Sequence, residues 1–169
     1  MKKLLVCSLV IFLTLAGCSK ENKTTDDKSE KYNTYLTALE SNTEFLKSSN
    51  YYSITLAVNK LADNSYRYDV IVDNPLVAMY NVEVLCVAKD VTGTLITDSM
   101  CPSAGIIEDD NYNLIPNQVD VKKGYPAGVV VSGTIDQPEV NVIVLVVWTG
   151  YAKLAENREY LALSATYEA

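Results

Sequence analysis

The feature that most constrains this chain is the run Val140 to Thr149. It holds ten residues, nearly all apolar and mostly β-branched, with no Gly or Pro among them. Apolar residues fall on both faces from Ile143 through Val147. A strand of that kind must be central and covered on both sides. Its neighbours in sequence are strands as well. Tyr52, Ile54, Leu56 and Val58 alternate with polar residues, and so do Tyr66, Tyr68, Val70 and Val72. In Met79 to Lys89, Val82, Val84, Cys86 and Ala88 share one face, and Glu83, Leu85, Val87 and Lys89 share the other.

Turn chemistry separates these runs. Ala62-Asp63-Asn64-Ser65, Thr92-Gly93, Asp136-Gln137-Pro138 and Ala155-Glu156-Asn157-Arg158 supply the residues that turns require. Asp73-Asn74-Pro75 stops a strand, because Pro brings no ladder donor. Further strands are predicted at Thr94 to Ser99, around Tyr112 to Ile115, at Gly128 to Ile135 and at Glu159 to Tyr167. About seven strands at short, regular spacing predict a mainly β chain, an antiparallel Ig-like β-sandwich, with an eight-stranded barrel as the alternative. Trp148 shares a face with Val142, Val144 and Val146 and reads as core rather than as a ligand platform.

The N-terminal third reads differently. Met1-Lys2-Lys3 is basic, Leu4 to Leu15 is nearly all apolar, and Ala16 and Gly17 are small. That is the pattern of a secretory signal peptide. The apolar run falls short of the ~20 residues that cross a bilayer. Ser19 to Lys31 has no large apolar residue and is expected to be a flexible tether. Fully extended it spans at most ~45 Å. Tyr32, Tyr35, Leu36, Leu39 and Leu46 then follow a helical period and predict an amphipathic helix over 32–49. The expected divisions are a signal at 1–17, a tether at 18–31, the helix at 32–49 and the sandwich at 51–169.

Leu15-Ala16-Gly17-Cys18 resembles the lipobox of bacterial lipoproteins. The resemblance implies cleavage before Cys18, a diacylglyceryl group on its sulfur, and attachment to the extracytoplasmic face of a cell membrane. Two acyl chains anchor stably where one does not. In a Gram-negative cell, Ser19 would direct the protein to the outer membrane. With the polar stretch that follows, the strand ending Tyr68 to Pro75 and the segment Leu114 to Gln118, the whole is similar to small Ig-like lipoproteins of low-GC Gram-positive bacteria. Most of those have no assigned activity.

Composition narrows the chemistry. The chain carries a formal charge of −7 and no His. An acidic surface is ill-suited to nucleic acid, which demands a basic footprint, and to electrostatic binding of anionic lipid. Absence of His removes the commonest general base and metal ligand together. No phosphate loop, nucleophile elbow or zinc spacing occurs. No cofactor, metal or catalytic residue is therefore expected.

Cys86 and Cys101 remain as a pair with two readings. Export permits a disulfide, closing a loop that contributes roughly 3 kcal/mol. Alternatively each is a small buried hydrophobe. Glu108-Asp109-Asp110-Asn111 supplies oxygens but lacks the spacing of a calcium loop, and reads as a solvated turn. The expected function is a membrane-anchored, non-enzymatic interaction module for an envelope protein or polymer. The alternative is an inhibitor or immunity-type lipoprotein acting through a loop such as Met100–Asn111. A hydrolase would need two converging acids in a concave pocket.

Overall fold

The computed structural model describes residues 21–168 apart from 109 and 153, and the side chains from residue 27 onward. Leu15, Ala16, Gly17 and Cys18 lie outside the described residues. The order of elements is α1 (Glu21–Ser41), β1 (Ser53–Lys60), β2 (Tyr66–Asp73), β3 (Met79–Lys89), β4 (Ser103–Ala104), β5 (Tyr112–Leu114), a 3-10 turn (Val121–Lys123), β6 (Gly128–Ile135), β7 (Glu139–Thr149) and β8 (Glu156–Thr166).

The strands form two antiparallel sheets. One is β1-β2-β6, and the other is β4-β3-β7-β8 with β5 also paired to β3. Two pairings that skip along the chain, β2 with β6 and β3 with β7, give the strand order of an Ig-like sandwich. Strand existence follows the alternation in sequence. The exception is the segment after the Thr92-Gly93 turn: Leu95 makes only an isolated bridge to Lys89, and the strand beside β3 is Ser103–Ala104.

The β1-β2-β6 sheet is one-sided. Tyr68, Val70, Val72, Val129 and Val131 face inward, while Arg67, Asp69 and Ser132 face water. The other sheet is covered on both faces. Its inner face gives Val84, Cys86, Val142, Val144, Val146 and Trp148 to the core between the sheets. Its outer face gives Leu85, Val87, Ile143, Leu145 and Val147 to a second core, roofed by Tyr32, Tyr35 and Leu39 of α1. That second layer is why β3 and β7 are apolar at successive positions rather than at alternate ones.

The helix spans Glu21–Ser41, so its bounds differ from the 32–49 read from the pattern. Its C-terminal part gives way to sheet pairing. Leu46 N–H donates to the Tyr160 carbonyl at 2.9 Å, and Ala162 N–H donates to the Leu46 carbonyl at 3.0 Å, so residue 46 extends the β8 edge instead of a helix face. At the other end, residues 21–31 contain no Gly or Pro to stop a helix, and Lys28 and Lys31 reach partners on the sandwich. The stretch expected to be a tether is therefore helical from Glu21.

Candidate functional site

The sandwich has two unlike ends. The turn end carries the β1–β2, β3–β4 and β6–β7 connections, because Lys60 pairs with Tyr66 and Lys89 with Asn141. A cleft of about 580 Å³ opens there, lined by Lys89, Asp90, Thr92, Gln137, Asn141 and Ser164 among others. Its groups are held in place. Asp90 Oδ1 accepts from the Thr92 hydroxyl at 2.6 Å, the Thr92 N–H at 2.8 Å and the Thr94 N–H at 2.9 Å. The Thr92 hydroxyl is the main reason that the Asp90 carboxyl titrates below the usual carboxylate range, with the Thr94 N–H next. Gln137 Nε2 donates to the Lys89 carbonyl at 3.3 Å, and the Ser164 hydroxyl donates to Asn141 Oδ1 at 2.6 Å. No aromatic ring is among the described residues that line the cleft.

The loop end carries the β2–β3, β5–β6 and β7–β8 connections, since Ser53 pairs with Asp73, Asp73 with Gly128, and Thr149 with Glu156. Tyr51 joins it, with its carbonyl accepting from Leu76 N–H at 2.7 Å and its ring 5.7 Å from that of Trp148. A groove of about 380 Å³ lies between Pro75, Leu76, Ile115, Val119, Pro126 and Ala127. Apolar side chains at this end point into solvent.

Between the ends, on the outer face of the two-sided sheet, stands Glu83, the one buried charged side chain among the described residues. Lys31 pairs with Oε1, and the Tyr35 hydroxyl donates to Oε2 at 2.8 Å. Arg158 stacks over the Tyr35 ring at 5.1 Å. The β3–β7 register shifts just before Glu83, and Asn81 in that bulge has φ of 50°. Gly105 passes so close that a Cβ there would sit 2.6 Å from the Val82 carbonyl, and its φ is +73°. The bulge turns Glu83 toward the helix, and Gly105 lets the chain cross behind it. Sequence reading placed Glu83 on the face opposite Val82 but missed its role. The signal was a lone carboxylate on the same face as Leu85 and Val87.

The two cysteines are not bridged: both are free and buried. Cys86 lies in the core between the sheets, and Cys101 lies in the core beneath the helix. The disulfide reading is corrected on that ground, because the sheet itself separates their two layers. Burial pushes both thiols up, so neither is a ready thiolate. The Tyr32 hydroxyl accepts from Cys101 N–H at 2.7 Å, and burial raises that phenol to about 12. Tyr52 OH and Glu159 Oε2 are buried without a partner in hydrogen-bond geometry. Burial, and then the Glu159 carboxylate, push the Tyr52 phenol up.

Glu108 and Asp110 are exposed, and Asp109 lies outside the described residues. Among the described residues no three acidic, Cys or His side chains converge in a metal-binding group. No helix among them is long and apolar enough to cross a membrane. The middle of the Met100–Asn111 stretch is stitched down: Cys101, Ala104 and Ile106 are buried, and the Pro102 carbonyl accepts from Cys86 N–H at 2.9 Å. No protein family matches the chain, and no curated protein aligns with it significantly.

Proposed function

We propose that this chain is a lipid-anchored, extracytoplasmic binding module of the cell envelope, without enzymatic activity. A diacylglyceryl group on Cys18 holds it to the membrane, and the turn-end cleft recognises an envelope protein or polymer. The observation that carries this reading is that cleft: open, about 580 Å³, with polar groups fixed by their own hydrogen bonds set among apolar ones such as Val91, Val142 and Leu163. Fixed donors and acceptors bind without losing further side-chain entropy. Hydroxyl and amide groups without an aromatic platform suit a peptide or an amide-bearing polymer better than a sugar ring face.

Two further observations support a binding role. Both thiols are held protonated, and the buried carboxylate Glu83 is engaged by Lys31 and Tyr35 rather than aimed at an open pocket. In the Met100–Asn111 stretch Cys101, Ala104 and Ile106 are buried, which leaves the inhibitor reading the exposed Met100 at one end and Glu108, Asp110 and Asn111 at the other.

The test is crosslinking capture from intact cells with the native anchor. Ala162→Arg places a bulky charge on an exposed residue of the cleft wall. It should abolish recovery of the partner while leaving the protein folded and membrane-bound. Undiminished recovery would remove the cleft from the proposal. In parallel, Cys18→Ser should move the protein from the membrane to the soluble fraction, and continued retention would remove the anchor.

A further inference from the structure

Twelve large apolar side chains among the described residues are exposed, and seven of them sit at the loop end. Leu76 and Val77 tip the β2–β3 loop, Val119 and Val121 the β5–β6 loop, and Tyr151 and Leu154 the β7–β8 loop. Leu154 is 90% exposed. Exposed apolar side chains gathered on the connections of one end suit a contact surface.

The helix says what lies against them. Lys31 lines one cleft with Asn81, Thr149 and Glu156, the strand ends from which the loops spring. From Lys31 back to Glu21 is ten helical residues, about 15 Å. Three more residues to Cys18 add at most ~10 Å. The anchoring residue thus stays within about 25 Å of Lys31 and so near the strand ends beside it. The turn end stands one full strand further away, since the eleven residues of β7 span about 36 Å.

We infer that the loop end is a second membrane contact: the apolar tips of the three loops rest in the interfacial layer of the bilayer that holds the acyl chains of Cys18. This rests on the lipid-anchor reading above. The contact is led by apolar burial, as the acidic net charge requires. Lys122 stands in the same loop as Val121, and its long stem brings an ammonium group to phosphate oxygens while the apolar tips enter, whereas Lys123 pairs with Asp120 at 3.2 Å. The chain is then fixed at two points, and the cleft at the turn end faces away from the membrane.

Nitroxide accessibility on the full lipidated chain tests this. The label is placed at Leu154→Cys and, as the reference, at Val91→Cys, which is 84% exposed at the turn end. Cys86 and Cys101 are buried and escape labelling. In phosphatidylglycerol–phosphatidylcholine vesicles, the ratio of oxygen to water-soluble nickel-chelate accessibility should be several-fold higher at position 154 than at 91. Equal ratios in chain that is vesicle-bound would overturn the second contact and leave the anchor standing. A label at 154 shielded in native membranes yet aqueous in pure lipid would also overturn it, and would assign the loops to a membrane protein. Recovery of the chain with Cys18 intact in the aqueous fraction would overturn the anchor, and this contact with it.

Discussion

Tyr35 on α1 donates its hydroxyl to Glu83 Oε2 on β3 at 2.8 Å, and Lys31, one helical turn earlier, holds the other oxygen. Two helix residues spaced i and i+4 thus clamp one carboxylate in an otherwise apolar interface. Apolar contacts alone let a helix slide over a sheet, whereas a paired charge has one position. Removing the carboxylate strands the Tyr35 hydroxyl and leaves Lys31 without its partner. Glu83→Ala should cost about 2 kcal/mol, below the usual range for breaking a buried pair because Lys31 is partly exposed. Glu83→Gln keeps an acceptor for Tyr35 and should cost less. Urea unfolding gives the cost, and amide exchange in α1 reports the docking. Wild-type behaviour of Glu83→Ala in both would remove the clamp from the account.

The separation of Cys86 and Cys101 into two cores predicts indifference to reductant. The folded chain should have the same thermal midpoint with and without dithiothreitol. Both thiols should react with an aromatic disulfide reagent only after unfolding, since both are buried and held protonated. Cys86→Ala leaves a small cavity between the sheets and should cost about 1 kcal/mol. A midpoint that falls by several degrees in reductant would mean that a bridge had been present.

Tyr32 predicts an alkaline limit to stability. Its phenol ordinarily titrates near 10, and burial raises it to about 12 in the fold. Between those values the unfolded chain has lost the proton and the folded chain still holds it. Stability is therefore fully present below pH 10 and declines as pH rises from about 10 to 12. Tyr32→Phe should flatten part of that decline, and at neutral pH should cost about 1–2 kcal/mol because Cys101 N–H loses its acceptor. Tyrosinate absorbance followed alongside circular dichroism separates titration from unfolding. An unchanged alkaline slope in the variant would assign the effect to other buried phenols.

Much of this architecture was legible in the residues because strand period is a local signal. Val140 to Thr149 announced a central strand, and Trp148 fell on the inner face with Val142, Val144 and Val146 as its parity requires. What the pattern could not carry was competition between distant partners. Leu46 fits the helical stripe, yet the open edge of β8 claims its backbone. Residues 21–31 looked too polar to order, but a helix needs only one buried face further along to propagate. The site was less legible still. Glu83 acquires meaning only when a bulge turns it under Lys31 and Tyr35. The loop-end cluster gathers residues separated by more than seventy positions, such as Leu76 and Leu154, that no local window relates.

The layered core also predicts where truncation costs most. Leu39 is fully buried beneath α1, against the outer face that carries Leu85, Ile143, Leu145 and Val147. Leu36, three residues earlier, is only partly buried against the same cluster. Leu39→Ala should cost 2–5 kcal/mol, from lost burial and from a cavity that a β-sheet is too stiff to fill. Leu36→Ala should cost about 1 kcal/mol, since less of its surface leaves water on folding. The first variant should also bind more of an environment-sensitive hydrophobic dye, because a loosened helix uncovers the apolar strip of β3 and β7. If the two substitutions shift the urea midpoint equally and dye binding stays flat, then α1 lies on the sheet without roofing it, and the double-sided apolar pattern of β7 needs another cause.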